Sequence, residues 1–352
     1  MKTITVNTSK VYDVCLGQGL IRQLPNLVAP FCKGRKVGII TDDTVDTLYA
    51  TAVMHDLETE GYQVCKYVFP HGEESKNINT LSDILEFLAS CHFTRKDWLL
   101  SIGGGVVGDI TGLTAALYMR GIQFIQVPTT LLSMVDASVG GKAAVDLQAG
   151  KNLIGAFWQP GMVVADTQVI AGLPRVIFAE GMAEVIKSDI IADAGIINWT
   201  VNGVVKEHLD DVIESCIQMK RSVVEQDEYE TKGLRKVLNM GHTVAHAIER
   251  LSNYQVPHGM AVATGLVWEA KMAKELGLCD QSLAKEIRQA VDCYGLYYNV
   301  PYSNDNMVNA MRGDKKNEDQ NIDFMFPVTY GRWEERKLSQ REVMELLMTI
   351  EK

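Results

Sequence analysis

The strongest constraint on this chain is a rhythm in its first half, where short β-branched runs alternate with stretches of helical period. KVGII at 36–40 reads as a buried strand, residues 45–60 as a helix and QVCKYVF at 63–69 as the next strand. Residues 78–90 read as helical again, and WLLSI at 98–102 is a strand that runs into Gly103, Gly104 and Gly105. Strand and helix in strict alternation leave few arrangements, because each strand must cross over to a parallel neighbour through a helix lying on the sheet. The pattern therefore predicts an α/β N-terminal domain with a parallel, Rossmann-like, nucleotide-binding sheet. Ligands of such sheets sit at the carboxyl ends of the strands.

Two of those ends carry suggestive chemistry. After Ile40 come Thr41 and Asp42, an acid placed where a ribose diol could be gripped. After Ile102 comes GGGVVGD at 103–109, which satisfies G-x-G-x-x-G and leads into an expected helix at 110–119. Glycines let backbone N–H groups approach a pyrophosphate, and a helix N-terminus adds positive potential. A glycine-rich tight turn reads equally well from the pattern alone, and no acid stands about twenty residues downstream as the dinucleotide fingerprint requires. Residues 126–155 are rich in small polar residues and read as loops bearing Asp136, Lys142, Lys151 and Asn152. Neither Gly-Lys pair there has the spacing of a nucleoside triphosphatase P-loop.

From about residue 173 the strand signals fade and helical periods take over at 178–194, 212–226, 240–251, 258–276 and 281–294. A hairpin follows at 322–328 and 336–338, and a last helix at 340–350. The expected organisation is an α/β domain over 1–172 and a mostly α-helical C-terminal domain over 173–352. In the latter, NMGHTVAHAIE at 239–249 sets His242 and His246 four residues apart on one helix face, the geometry with which two imidazoles reach one metal ion. Two histidines lining a partly buried face would look the same. His258, after Pro257, tilts the reading toward a metal or proton-transfer site. Glu184 and Lys187, three apart among apolar residues, could be a surface ion pair or a buried one. Lys220, Arg235 and Asn239 enter the histidine region together.

Composition narrows the partners. With 47% hydrophobic and 22% charged residues over 352 positions the chain is an ordinary globular protein, and a net charge of −10 disfavours nucleic acid or an anionic membrane surface. An anionic substrate must then meet clustered lysines and arginines. Seven cysteines at scattered spacings with no C-x-x-C, no apolar leader at the N-terminus and no run long enough to span a bilayer point to the cytoplasm.

Taken together, GEESK at 72–76, GGGVVGD at 103–109, YMRG at 118–121, VPTTLL at 127–132, Val135 with Asp136, GGK at 140–142, GKNLIG at 150–155, MAEVIK at 182–187, the histidine motif, His258 with Gly259 and DKK at 314–316 resemble the 3-dehydroquinate synthases, within the sugar-phosphate cyclase superfamily. The resemblance implies a lyase of the shikimate pathway, in the biosynthesis of aromatic amino acids. Such an enzyme converts 3-deoxy-arabino-heptulosonate 7-phosphate to 3-dehydroquinate by transient NAD-mediated oxidation, β-elimination of phosphate, re-reduction and an intramolecular aldol step. It implies an active site between the two domains and a homodimer, with a phosphorylated sugar acid as the small-molecule partner. By resemblance, Glu184, His242 and His258 hold divalent zinc (Zn2+), with another ion such as Co2+ as the alternative, and His246 serves proton transfer near the phosphate. Lys142, Asn152, Lys187 and Lys316 surround the phosphate, with Arg120 arriving from a second subunit. Lys220, Arg235 and Asn239 hold the carboxylate and hydroxyls, and Asp136 contacts a hydroxyl. Asp42, Glu73, Lys76, Gly104, Gly105, Asp109, Thr129, Thr130 and Lys151 line NAD. One position departs from the family: Thr231 stands where a glutamate precedes the arginine, so a one-residue insertion would give that role to Glu230. Other sugar-phosphate cyclases acting on substrates without the carboxylate, and metal-dependent polyol dehydrogenases, share much of this pattern.

Overall fold

A computed structural model describes residues 1–312 and 321–350. The chain divides into two compact units, Met1–Leu173 and Pro174–Lys352.

The first unit is built on a seven-stranded sheet. Its strands are β1 (Lys2–Asn7), β2 (Val11–Gly17), β3 (Lys36–Asp42), β4 (Gln63–Phe69), β5 (Trp98–Gly103), β6 (Gln123–Pro128) and, after a separate hairpin of β7 (Lys142–Leu147) and β8 (Gly150–Phe157), β9 (Met162–Asp166). The order across the sheet is β1-β2-β9-β6-β5-β3-β4. Every pair is parallel, as the alternation predicts, except β1 with β2, which a tight turn joins with no crossover helix. Burial explains which strands are internal: β3 and β9 are continuous buried runs, as strands covered on both faces must be, whereas edge strand β4 is only half-buried.

Three local expectations need correction. The segment 126–155 is not a run of loops: it holds the end of β6, a π-helical turn at Ser133–Ala137 and the antiparallel β7–β8 hairpin. The helix after the glycine loop begins at Gly105 and ends at Leu117, so Gly105 and Gly108 fall in its first turn, with Gly104 as the N-cap. Gly103 is there for space, since a Cβ on it would fall 2.4 Å from a methyl of Val107. The helix expected at 45–60 is broken by a π-helical turn at Asp46–Ala50 before continuing as Thr51–Thr59.

The second unit is helical. Its longest helices are Arg175–Ala192, Leu209–Gln226 and His258–Glu275, joined by His242–Leu251, Gln281–Cys293, Asn304–Arg312 and Gln340–Thr349. A two-stranded hairpin of β10 (Ile322–Thr329) and β11 (Arg332–Leu338) completes it. The helix His258–Glu275 is apolar nearly all round and carries the fully buried Trp268, which marks it as the centre of this unit's core. It packs against Arg175–Ala192 and His242–Leu251, the two helices that carry Glu184 and His242. Among the described residues no helix is long and apolar enough to cross a membrane, and all seven cysteines are free thiols.

Candidate metal centre and active site

Helix ends set the metal cluster. His242 is the first residue of its helix and follows Gly241, whose φ of +79° a residue with a side chain adopts only with strain. Gly241 rests directly on the helix His258–Glu275, where a Cβ on Gly265 would lie 1.9 Å from the Gly241 carbonyl oxygen. The Gly241 N–H donates to Glu269 Oε2 at 2.6 Å, a carboxylate with no solvent exposure. These contacts pin the start of one helix against the side of another, whose own first residue is His258.

Three side chains converge there. Glu184 Oε1 lies 3.6 Å from His242 Nε2 and 3.6 Å from His258 Nε2. One ligand atom from each of the three lies within 4.8 Å of the other two. Two imidazole nitrogens and one carboxylate are the donor set of an open catalytic zinc site, so the residues fit a divalent ion with positions left over for substrate oxygens. Both rings are held by their other nitrogen: His242 Nδ1 faces the Met240 carbonyl at 3.1 Å and His258 Nδ1 faces Glu249 Oε1 at 3.2 Å. His246 stands apart from this group. Its ring meets His242 edge-on, with centroids 5.6 Å apart, although the i, i+4 spacing made it the natural partner.

Electrostatics keep the cluster charged. Burial pushes the Glu184 carboxyl pKa up, but the Lys187 ammonium and the imidazole of His258 outweigh it and hold the group down at about 2. Burial pulls His258 down, while its contacts with Glu184 and Glu249 overcome this and raise it to about 10. Lys187 Nζ presses against Glu184 Oε2 with both side chains 2% exposed, so the pair read from sequence is a buried one.

A second cationic group lies in the same unit. Arg235 is 1% exposed. Its backbone N–H donates to Asp227 Oδ2 at 3.1 Å, its Nη1 donates to the Glu228 carbonyl at 2.6 Å and its Nε lies 3.7 Å from Glu230 Oε1. Glu230, at a φ of +58°, is thus the acid that faces the arginine, and Thr231 is exposed. Lys220 is buried, and Asn239, half-buried, ends the 3-10 turn Leu234–Asn239 that precedes His242. Lys316 lies outside the described residues.

In the first unit several expected nucleotide residues form one network. Lys76, 5% exposed, pairs with Asp109 Oδ2 at 2.6 Å and donates to Asn152 Oδ1 at 2.7 Å. Burial lowers its pKa, but Asp109 and Glu73 outweigh that and raise it. Lys151 lies 3.6 Å from Glu73. The Asn152 backbone N–H donates to Asp146. The helix Gly105–Leu117 begins without a side-chain cap at Gly104, which leaves N–H donors of its first turn for an anion. A small cavity adjoins it, lined by Gly103, Gly104, Gly105 and Gly108 together with Gln126 and Ser133. Thr129 donates its N–H to the Gly103 carbonyl, and Thr130 Oγ1 bonds Ser133. Asp42 acts in part as a helix cap, accepting from Thr44 and Val45 at 3.0 and 2.8 Å. Asp136 is half-buried in the π-helical turn, and Lys142 is exposed at the start of β7. Arg120 is exposed on a strained turn, with φ of +49° at Met119 and +65° at Arg120.

The sequence pattern assigns no role to Glu249, the last residue of the histidine motif, or to Glu269. The available signal was an acid standing among apolar positions of a helix, which marks either a surface position or a buried partner.

Comparison with known proteins agrees with this geometry. Residues 66–180 match the family model described as 3-dehydroquinate synthase N-terminal, and residues 181–317 match 3-dehydroquinate synthase C-terminal. The 3-dehydroquinate synthase of Clostridium botulinum (strain Alaska E43 / Type E3) is 40% identical over 324 residues, which cover 90% of this chain and 92% of that protein. Among solved structures, a 2-deoxy-scyllo-inosose synthase complexed with carbaglucose-6-phosphate, NAD+ and Co2+ superposes with a TM-score of 0.88 at 24% identity, covering 98% of this chain and 99% of the other. ValA, the 2-epi-5-epi-valiolone synthase of Streptomyces hygroscopicus subsp. jinggangensis 5008 with NAD+ and Zn2+ bound, does so with 0.88 at 23%, covering 98% of each chain. At such identities the structural likeness speaks to the fold, whereas the family models span both units and the Clostridium relative is similar over nearly its whole length. On that ground the chain belongs to the 3-dehydroquinate synthase family.

Proposed function

We propose that the chain converts 3-deoxy-arabino-heptulosonate 7-phosphate to 3-dehydroquinate and phosphate, with NAD and a divalent ion, Zn2+ or Co2+, as resident cofactors. The observation that carries the reading is the convergence of Glu184, His242 and His258 beside the buried Lys187, in a chain of this family. When bound, the ion supplies Lewis acidity at the hydroxyl to be oxidised and NAD supplies a hydride acceptor that returns its hydride within each turnover.

The protein's own groups do the rest. Lys187 keeps Glu184 anionic and offers positive charge to the phosphate. Arg235, its guanidinium fixed by the Glu228 carbonyl and Glu230, presents a planar fork suited to the substrate carboxylate, and Lys220 and Asn239 share the binding of the carboxylate and nearby hydroxyls. His246, set edge-on to His242 and not in the ligand group, is the proton-transfer residue. In the first unit, Lys142 and Asn152 serve the phosphate and Asp136 a hydroxyl, while Asp42, Glu73, Lys76, Gly104, Gly105, Asp109, Thr129, Thr130 and Lys151 line NAD. Lys316 is a further phosphate ligand. Arg120, exposed on its strained turn, serves the phosphate of a second copy, which makes the working form a homodimer. Seven free thiols suit the reducing cytoplasm.

Phosphate release from the heptulosonate phosphate, with NADH absorbance followed in the same cuvette, tests the reading. Stoichiometric phosphate with no net NADH is expected, and activity should vanish on chelation and return with zinc. Net NADH would indicate a polyol dehydrogenase instead. Turnover confined to a heptulose phosphate without a carboxylate would indicate another sugar-phosphate cyclase.

A further inference from the structure

The metal ligands leave one buried acid beside them unexplained. Glu249 is 2% exposed, seven residues beyond His242 on the same helix, and so two turns along the same face. A carboxylate so buried is retained only against a compensating charge or donor. Its carboxylate meets His258 Nδ1 at 3.2 Å, on the far side of the ring from Nε2, which faces Glu184. The other histidine is held differently, since His242 Nδ1 is met by the neutral Met240 carbonyl. The segment carrying Glu249 is itself anchored, with the Tyr254 N–H donating to the Glu249 carbonyl at 2.7 Å.

We infer that Glu249 is a positioning residue of the metal centre: by accepting the Nδ1 proton of His258 it fixes the ring and its tautomer, so that Nε2 is the atom presented to the ion. This rests on the metal reading above and deepens it. An imidazole free to rotate or to carry its proton on Nε2 would be a poor ligand, and a carboxylate on the opposite nitrogen also raises the basicity of the ligating one. His242 therefore anchors the ion through a neutral contact, and His258 through a charged one. One helix supplies both a ligand, His242, and the orienting acid for the other, which couples the two histidines through a single rigid element.

The test measures Zn2+ affinity of the whole protein by competition with a chromophoric chelator, independently of activity. Glu249→Gln keeps size and an acceptor oxygen but removes the charge, and should weaken Zn2+ by about 10-fold; Glu249→Met removes the acceptor and should weaken it by about 100-fold. NAD affinity, read from fluorescence, should be unchanged in both. Wild-type Zn2+ affinity in these variants, alongside a His242→Ala variant that has lost zinc, would overturn the inference and leave the metal reading standing. Retention of zinc by His242→Ala and by Glu184→Gln would overturn the metal reading itself. A second measurement needs no variant: in zinc-loaded wild-type protein with 15N-labelled histidine, His258 should be metallated at Nε2 with Nδ1 protonated, and metallation at Nδ1 would sink the inference.

Discussion

Replacing Glu184 by Gln in the metal-free protein should be costly for folding before any catalysis is considered. Glu184 and Lys187 are 1% and 2% exposed, and Lys187 Nζ presses against Glu184 Oε2. The substituted amide would keep the shape and leave an ammonium, and the His258 ring beside it, without the anion that balances them. Removing one member of a buried pair costs about 3–5 kcal/mol. The low carboxyl pKa points the same way, since burial is outweighed by the Lys187 ammonium and the His258 imidazole, which hold the group in its charged form. We take about 3 kcal/mol, or roughly a hundredfold in the ratio of folded to unfolded second unit.

The assay is urea denaturation in excess chelator at neutral pH, followed by tryptophan fluorescence, to which Trp268, fully buried in this unit, contributes. A double-mutant cycle separates the pair from its surroundings: Glu184→Gln and Lys187→Met should each destabilise, and Glu184→Gln/Lys187→Met together should recover more than half of the larger loss, because a neutral pair no longer strands a charge. Additive losses would refute the argument. So would a Glu184→Gln variant within about 0.5 kcal/mol of wild type, the range expected of a solvated pair.

Three further outcomes follow from other parts of the second unit. His242→Ala should abolish stoichiometric zinc while His246→Ala keeps zinc and slows turnover; metal analysis of both proteins decides it, and zinc loss in both would make His246 a ligand. Gly265→Ala should cost about 3 kcal/mol or more, because its Cβ would fall 1.9 Å from the Gly241 carbonyl and must force apart the helices that carry His242 and His258; a wild-type denaturation midpoint would contradict it. Burial pushes the Asp227 pKa up, but backbone N–H donors of Lys232, Arg235, Thr231 and Leu234 outweigh it and lower it, so the stability it contributes is fully present above its unfolded value near about 3.9 and is lost as pH falls through the folded one. Asp227→Asn should therefore reduce the pH dependence of the urea midpoint below about pH 4, and an unchanged slope there would count against this.

How far the sequence can be read depends on whether a segment's pattern is set locally. β3, β4 and β5 are legible because short apolar runs separated by amphipathic helices admit little else. The sequence pattern starts the helix Gly105–Leu117 five residues late, since its first turn is glycine and valine and its middle, from Ile110 to Ala115, is buried all round, which erases the helical period. The β7–β8 hairpin read as loop because β8 is largely exposed and rich in small residues, and its structure comes from cross-strand pairing that no local pattern reports.

The metal cluster shows the same limit at the level of single side chains. Spacing along one helix favoured His242 with His246, and spacing is blind to a third element. What separates the two histidines is the direction of His242 Nε2, set by the Met240 carbonyl behind it and by Gly241 seated on Gly265, which turns the ring toward Glu184 on a different helix. From the sequence Glu184 stands out only as half of an ion pair and becomes a ligand by resemblance, and Glu249, the last residue of the histidine motif, receives no role, because an acid whose burial is offset by a partner on another helix looks, in one dimension, like any acid on a helix. The residues that define this centre are thus those whose partners lie across helix–helix contacts, and a substitution such as Gly265→Ala, far from any ligand atom in chemistry, should disturb the ion as surely as loss of an imidazole.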